Sequence, residues 1–413
     1  MEIGFGTAPQ LLELPDQNVD GVLLPNEVDV TAKGVPLVEA ALQHPIGTPP
    51  LSELVKPGEK IVIITSDVTR PVPSYKIIPA ILTELFGAGV NPADVTVVFA
   101  LGSHRGQTPE EMKKLVGEDV YRQVRCIDGD PTDFVHMGTT RLGTPVDITR
   151  IVAEADRRIG VGNIEFHYFA GYSGGAKAIM PGVSTRAAIQ SNHSRMVLPE
   201  AAAGRLEGNP VREDIEEAIW YCPLDFIVNV VLDEHKEIIC AVAGHYIKAH
   251  REGCKFLDRL YQKKIPPRAD IVIASQGGAP KDLNLYQTQK ALDNAKHAVK
   301  PGGIIILAGS CKEGLGEEVF EEWLLHSASP QAMVERIGKD FQLGGHKAAA
   351  IGMVLETSEI YLVSEMEPEF VRNIFLKPYP GVQEAVNAAF EKLGNEATVL
   401  VMPYGGSTLP VVE

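Results

Sequence analysis

The sequence predicts an α/β protein of two domains, each a parallel or mixed sheet flanked by helices, with the active site in the cleft between them. Three observations carry that expectation. The chain has 413 residues, more than one hydrophobic core usually fills. Short apolar runs alternate with segments of helical periodicity between residues 60 and 162, and again between 269 and 308. Polar, glycine-rich loops follow the apolar runs, at the strand ends where parallel sheets hold their ligands.

Taken in order, residues 60–65 (Lys-Ile-Val-Ile-Ile-Thr) read as a buried parallel strand, 75–88 as a helix and 95–101 as a second strand. A helix opens at Thr108-Pro109-Glu110-Glu111, where Thr as N-cap, Pro at the first position and Glu at the third form a capping box. Residues 158–162 form a third strand that runs into the loop from His167 to Lys177. The polar stretch 261–267 reads as a linker. It divides the chain into a cofactor-binding domain at 1–262 and a Rossmann-like domain at 263–413, with the extreme C-terminus returning to the first. In the second domain a strand at 269–274, a helix at 287–298 and a strand at 303–308 make a βαβ unit.

Composition narrows the function classes. An apolar content of 45% and a charged content of 22% are those of an ordinary soluble enzyme. A net charge of −16 without clustered Lys and Arg argues against nucleic-acid partners, yet leaves room for a small anionic substrate. Met1 to Gly6 has no basic stretch followed by an apolar core, so no signal peptide is expected, and no apolar run has the length of a membrane span. The five cysteines, at 126, 222, 240, 254 and 311, are odd in number and lack CxxC spacing. A reduced, cytoplasmic chain follows, in which any metal relies on histidine, carboxylate or a non-protein ligand.

The richest segment runs Ile164-Glu165-Phe166-His167-Tyr168-Phe169-Ala170-Gly171-Tyr172-Ser173-Gly174-Gly175-Ala176-Lys177, with His193 sixteen residues beyond the lysine. Small residues admit a ligand close to the backbone, and a lysine leaving such a loop presents a nucleophile or an attachment point. The plain alternative is a structural turn with its lysine in solvent. Asp67-Val68-Thr69-Arg70 combines loop amides with a guanidinium and suits a phosphate; alternatively Asp67 caps the loop and Arg70 pairs with it. His104 follows the second strand, as a proton-transfer group or a packed imidazole. Gln287 and Lys290, three apart beside Tyr286, can hold a carboxylate or simply line an amphipathic helix. The other histidines read as structural or exposed. Neither a Rossmann glycine fingerprint nor a GxxxxGK[ST] loop occurs.

Together these pieces resemble the nickel-pincer lactate racemase family. The matching elements are Asp67 to Ser74, Gly102-Ser103-His104-Arg105, His167 to Gly175 with Lys177 and Pro181-Gly182, Asn192-His193, and Pro280 to Lys290. The resemblance implies an isomerase bearing a nickel-pincer nucleotide, the Ni(II) complex of pyridinium-3,5-bisthiocarboxylic acid mononucleotide. It further implies a thioamide attachment at Lys177, nickel ligation by His193, and cofactor contacts from Asp67, Val68, Thr69 and Arg70. His104 and His167 become the acid–base pair, and Arg70, Tyr286, Gln287 and Lys290 the substrate-binding set. The implied reaction inverts C2 of a 2-hydroxy acid by reversible hydride transfer through a 2-keto acid, and cofactor-biosynthesis proteins load the group.

Leu343-Gly344-Gly345-His346-Lys347 lacks the tryptophan that the resemblance places in this region of lactate racemases, so the substrate's side chain stays open. Three alternatives stand beside this reading. A sugar-acid epimerase with the same cofactor would turn over a polyhydroxy acid and not lactate. A nicotinamide-dependent oxidoreductase would change absorbance on addition of NAD. A non-catalytic nucleotide- or metal-binding module would turn over neither.

Overall fold

The computed structural model describes residues 1–233 and 235–412. The chain forms two compact units, one from Val28 to Asp258, the other from Met1–Glu27 together with Arg259–Glu413. We call them the central and the terminal unit.

The central unit is built on a six-stranded sheet in the order Ile238–Gly244, Phe226–Leu232, Arg157–Asn163, Ile61–Ser66, Val95–Ala100, Arg125–Asp128. All neighbours are parallel except the first pair, which is antiparallel. Ile61, Val62, Ile63 and Ile64 are all buried, as a central strand covered on both faces requires. The helix Ser74–Gly87 meets this sheet through Ile77, Ile81 and Leu85, which join Ile63, Val97, Phe99, Ile159 and Val228 in one core. Truncating Ile63 to alanine in such a core costs about 2–5 kcal/mol.

Chain order in this sheet reverses at one place. From Ile61–Ser66 the chain steps outward to Val95–Ala100 and Arg125–Asp128, then returns to the other side, where Arg157–Asn163 pairs with Ile61–Ser66. At such a reversal the loops leaving neighbouring strands diverge, and ligands of open α/β sheets bind beyond the carboxyl ends. The expected capping box at Thr108 is formed: its hydroxyl accepts from the Glu111 N–H at 3.2 Å, and the Glu111 carboxylate accepts from the Thr108 N–H at 2.9 Å.

The terminal unit carries a wholly parallel sheet ordered Lys377–Tyr379, Glu359–Val363, Val299–Ala308, Ala269–Ser275, Val399–Met402, Val19–Val22. Its partition differs from the sequence expectation. Residues 1–27, assigned to the 1–262 domain, contribute the edge strand Val19–Val22 here. The stretch read as a linker holds a strand, Gln262–Ile265, parallel to Leu409–Val412, so the C-terminus pairs within this unit. Both differences have one cause: a strand's partner is set by hydrogen-bonding groups distant in sequence, which local polarity does not reveal. No helix among the described residues is long and apolar enough to cross a membrane.

Candidate active site

Three adjacent strands of the central unit, Arg157–Asn163, Ile61–Ser66 and Val95–Ala100, deliver the candidate side chains to one edge of the sheet. The loop after Ile61–Ser66 is closed at its base by a 2.6 Å hydrogen bond between the buried Thr65 and Ser74 hydroxyls. Within it Asp67 is only 2% exposed. Its carboxylate accepts from the Thr69 hydroxyl at 2.7 Å and from His104 Nδ1–H at 2.6 Å. The partner of Asp67 is therefore His104 and not Arg70, whose backbone N–H instead donates to the Asp67 carbonyl at 3.3 Å. Burial alone would raise the Asp67 carboxyl, but the hydrogen bonds from His104 and Thr69 prevail and hold it below the ordinary aspartate range. With Nδ1–H committed to Asp67, a neutral His104 has its lone pair on Nε2. Val68, Thr69 and Arg70 are exposed, and the Val68 N–H donates to Gln107 Oε1 at 3.0 Å.

The loop after Arg157–Asn163 is tied back on itself. The Ser173 hydroxyl donates to the Asn163 carbonyl at 2.7 Å and accepts from the Glu165 N–H at 2.8 Å. Two glycines are required here by conformation and space. Gly171 has φ +76° and an added Cβ would lie 2.1 Å from the Arg205 carbonyl oxygen; Gly175 has φ +59° and its Cβ would lie 2.9 Å from the His250 ring. Lys177 follows in the short turn Gly175–Ala178. The Gly102 N–H, at the start of the His104 loop, donates to Gly182 at 3.0 Å and joins the two loops.

His167 sits in an environment opposite to that of His104. Its Nδ1 accepts from the Ala170 N–H at 3.3 Å, so no carboxylate engages that nitrogen. Tyr168 stacks on the ring at 5.5 Å and Phe169 meets it edge-on at 4.5 Å. Burial, then the charges of Lys177, Arg70, His193 and Arg212, hold the imidazole well below its ordinary pKa. Burial, then Arg212 and Arg70, likewise keep the Lys177 amine well below the usual lysine range. His167 and Lys177 are both half-buried. A neutral amine in such a place is a competent nucleophile.

Arg212 went unnoticed in the sequence. It lies in the amphipathic helix Pro210–Tyr221, where an arginine among acids reads as surface charge. It is wholly buried beneath the loop and donates to the carbonyls of Ala170 and Tyr172. Its Nη1 has no hydrogen-bond partner, with the nearest Glu216 oxygen at 4.0 Å. His193 ends the helix Arg186–His193, is 7% exposed, and meets Phe169 edge-on at 4.9 Å. Among the described residues no three His, Cys, Asp or Glu are placed to hold a metal ion, and all five cysteines are free. A metal at this edge would take one imidazole from His193 and its other donors from a bound group. The amine of Lys177 suits such a group.

Tyr286, Gln287 and Lys290 lie in the terminal unit, in the first turns of the helix Leu285–Ala295. Asn284 caps that helix by accepting from the Gln287 N–H at 3.0 Å. Leu285, Thr288 and Leu292 are buried, whereas Tyr286 and Gln287 are half-buried and Lys290 is exposed. Lys347 donates to the Tyr286 carbonyl and places its ammonium 3.8 Å from the centre of that ring.

Comparison with known proteins bears on the whole chain. The lactate racemase N-terminal domain family matches residues 5–204, and the lactate racemase C-terminal domain family matches residues 264–410. The lactate racemase of Thermoanaerobacterium thermosaccharolyticum is 36% identical over 421 residues, covering 99% of this chain and 98% of that protein. The lactate racemase of Lactiplantibacillus plantarum is 35% identical over 379 residues, covering 89% of each. The structure of the T. thermosaccharolyticum lactate racemase apoprotein superposes with a TM-score of 0.89 at 35% identity, over 100% of this chain and 99% of that one. A crystal structure of a Thermotoga maritima protein, at 20% identity and a TM-score of 0.63, shares the fold over 92% of this chain and 100% of its own. The chain thus belongs to the lactate racemase family and is an isomerase.

Proposed function

We propose that this isomerase inverts C2 of a 2-hydroxy acid, with lactate the first substrate to test, using a nickel-pincer nucleotide tethered to Lys177 and ligated through nickel by His193. One observation carries the reading: a lysine amine held below its ordinary pKa shares one sheet edge with two imidazoles in unlike surroundings. When bound, that group supplies a hydride acceptor and donor.

The chain's own residues do the rest. Lys177, as the neutral amine, would supply the nitrogen of the thioamide link. Asp67, Val68, Thr69 and Arg70 would hold the nucleotide, and Arg70 would also serve the reacting hydroxyl. His104, with Nδ1–H given to Asp67, takes the hydroxyl proton of one enantiomer at Nε2. His167 handles the proton of the other, because inversion needs proton carriers on two sides. Tyr286, Gln287 and Lys290 hold the carboxylate through an amide and an ammonium. The setting is the cytoplasm, where cofactor-biosynthesis proteins load the chain.

Intact mass and nickel analysis of protein made in a host that synthesises the nucleotide test the attachment. The expected result is an adduct mapping to Lys177 with one nickel, absent in Lys177→Ala; an adduct retained in that variant overturns the assignment. Racemisation in heavy water tests the chemistry. Hydrogen at C2 should stay with the substrate, and rapid deuterium entry would replace hydride transfer with carbanion chemistry.

A further inference from the structure

A chain of buried polar groups runs behind His193. Asp214, 1% exposed, accepts from the hydroxyls of Thr140 at 2.5 Å and Thr144 at 2.7 Å, and from Asn192 Nδ2 at 2.8 Å. Arg195 Nη1 lies 3.6 Å from the carboxylate and donates to Thr144. Asn192 is fully buried, and its Nδ2 donates a second time, to the Val211 carbonyl at 3.1 Å.

These contacts leave the Asn192 amide one orientation. A carboxylate and a carbonyl can only accept, so the group between them must be the NH2. Flipping it would set three oxygens against one another in a buried site, where no water replaces the lost pairings. Asn192 Oδ1 therefore faces His193 Nδ1, at 2.8 Å. That oxygen bears no hydrogen, so Nδ1 carries the proton, and a neutral His193 has its lone pair on Nε2.

We propose that Asn192 and Asp214 are positioning residues that fix the Nδ1–H tautomer of His193 and so commit Nε2 to the metal. The inference rests on the reading of His193 as the nickel ligand. A carboxylate is costly to bury, and packing an imidazole against Phe169 does not call for one. Set behind an amide, it polarises the amide oxygen and strengthens the hold on Nδ1–H, as outer partners of metal-bound histidines do. The pattern has no counterpart at His167, where a backbone N–H occupies Nδ1 instead.

The test is two-bond 1H–15N correlation on the full-length, 15N-histidine-labelled chain without cofactor, with His193→Gln identifying the resonances. Wild type should show a protonated Nδ1 and a lone-pair Nε2. Asn192→Ala should give a mixture of tautomers. In loaded protein, Asn192→Ala should keep its Lys177 adduct mass but bind nickel about 10–100-fold more weakly against a chelator. A wild-type Nε2–H tautomer, or an Asn192→Ala spectrum identical to wild type, overturns the proposal. A loaded His193→Ala protein that keeps its nickel overturns the ligand reading, and with it the purpose assigned to the tautomer, even with the NMR pattern intact.

Discussion

His104 and His167 stand at one edge of one sheet, on loops leaving strands that flank Ile61–Ser66, yet their surroundings are opposites. His104 gives Nδ1–H to a buried carboxylate 2.6 Å away. His167 receives an N–H from Ala170 and has Lys177, Arg70 and Arg212 for electrostatic neighbours. The second setting disfavours the protonated imidazole. Two histidines proposed to serve mirror-image substrates are thus not mirror images themselves.

The largest expected effect comes from removing either ring. His104→Gln and His167→Gln should each lower kcat by about 10²–10⁴-fold in cofactor-loaded enzyme, measured as racemisation from each enantiomer separately. A loss below tenfold from either would remove that histidine from the proton-transfer pair.

Asp67→Asn sharpens the contrast, because it removes a charge from the His104 side alone. A hydrogen bond to a charged group contributes about 1.5–3 kcal/mol, which corresponds to about 10–100-fold in kcat/KM. A loss below about threefold would detach Asp67 from the proton transfer assigned to His104.

The pH dependence of stability separates them further. The pKa of folded His167 is depressed, so its contribution is full above the ordinary imidazole value of about 6.5 and is lost as pH falls toward the folded value. The pKa of folded Asp67 is also depressed, so its contribution persists until pH falls below about 3.9. Between pH 7 and 5 the His167 side therefore titrates and the Asp67 carboxylate does not. Urea unfolding of the cofactor-free chain should show a shallower loss of stability over that range in His167→Gln, whereas Asp67→Asn should leave the slope unchanged. His250, His297 and His245, whose pKa values are also depressed, contribute to the slope that remains.

The smallest effect tests local structure apart from chemistry. Thr108→Ala removes the capping box beyond His104 and should cost about 1 kcal/mol in unfolding free energy with little change in turnover.

Much of the fold and part of the site were legible beforehand. The run 60–65 announced a covered strand because four consecutive aliphatic side chains have no solvent face to occupy. The His104, His167 and Lys177 loops were identifiable because carboxyl ends of parallel strands are where polar loops gather. Asp67 and His104, however, are 37 residues apart, and the sequence allowed Arg70 as the partner of Asp67 just as readily. Arg212 and Asp214 were hidden for a related reason. In Pro210–Tyr221 a charged residue on the packed face looks the same as one in water until its neighbours are known.

The sequence by itself determined the alternation of strands and helices, the capping box at Thr108 and the placement of reactive loops after strands. Those features depend on backbone preferences and side-chain periods within a few turns of chain. Only the tertiary structure decided that residues 1–27 join 259–413, that Gln262–Ile265 pairs with Leu409–Val412, and that His104 gains a carboxylate while His167 gains cations. Hydrogen-bond partners and electrostatic neighbours are fixed by distance in space, and the protonation preference of an imidazole follows from what surrounds it.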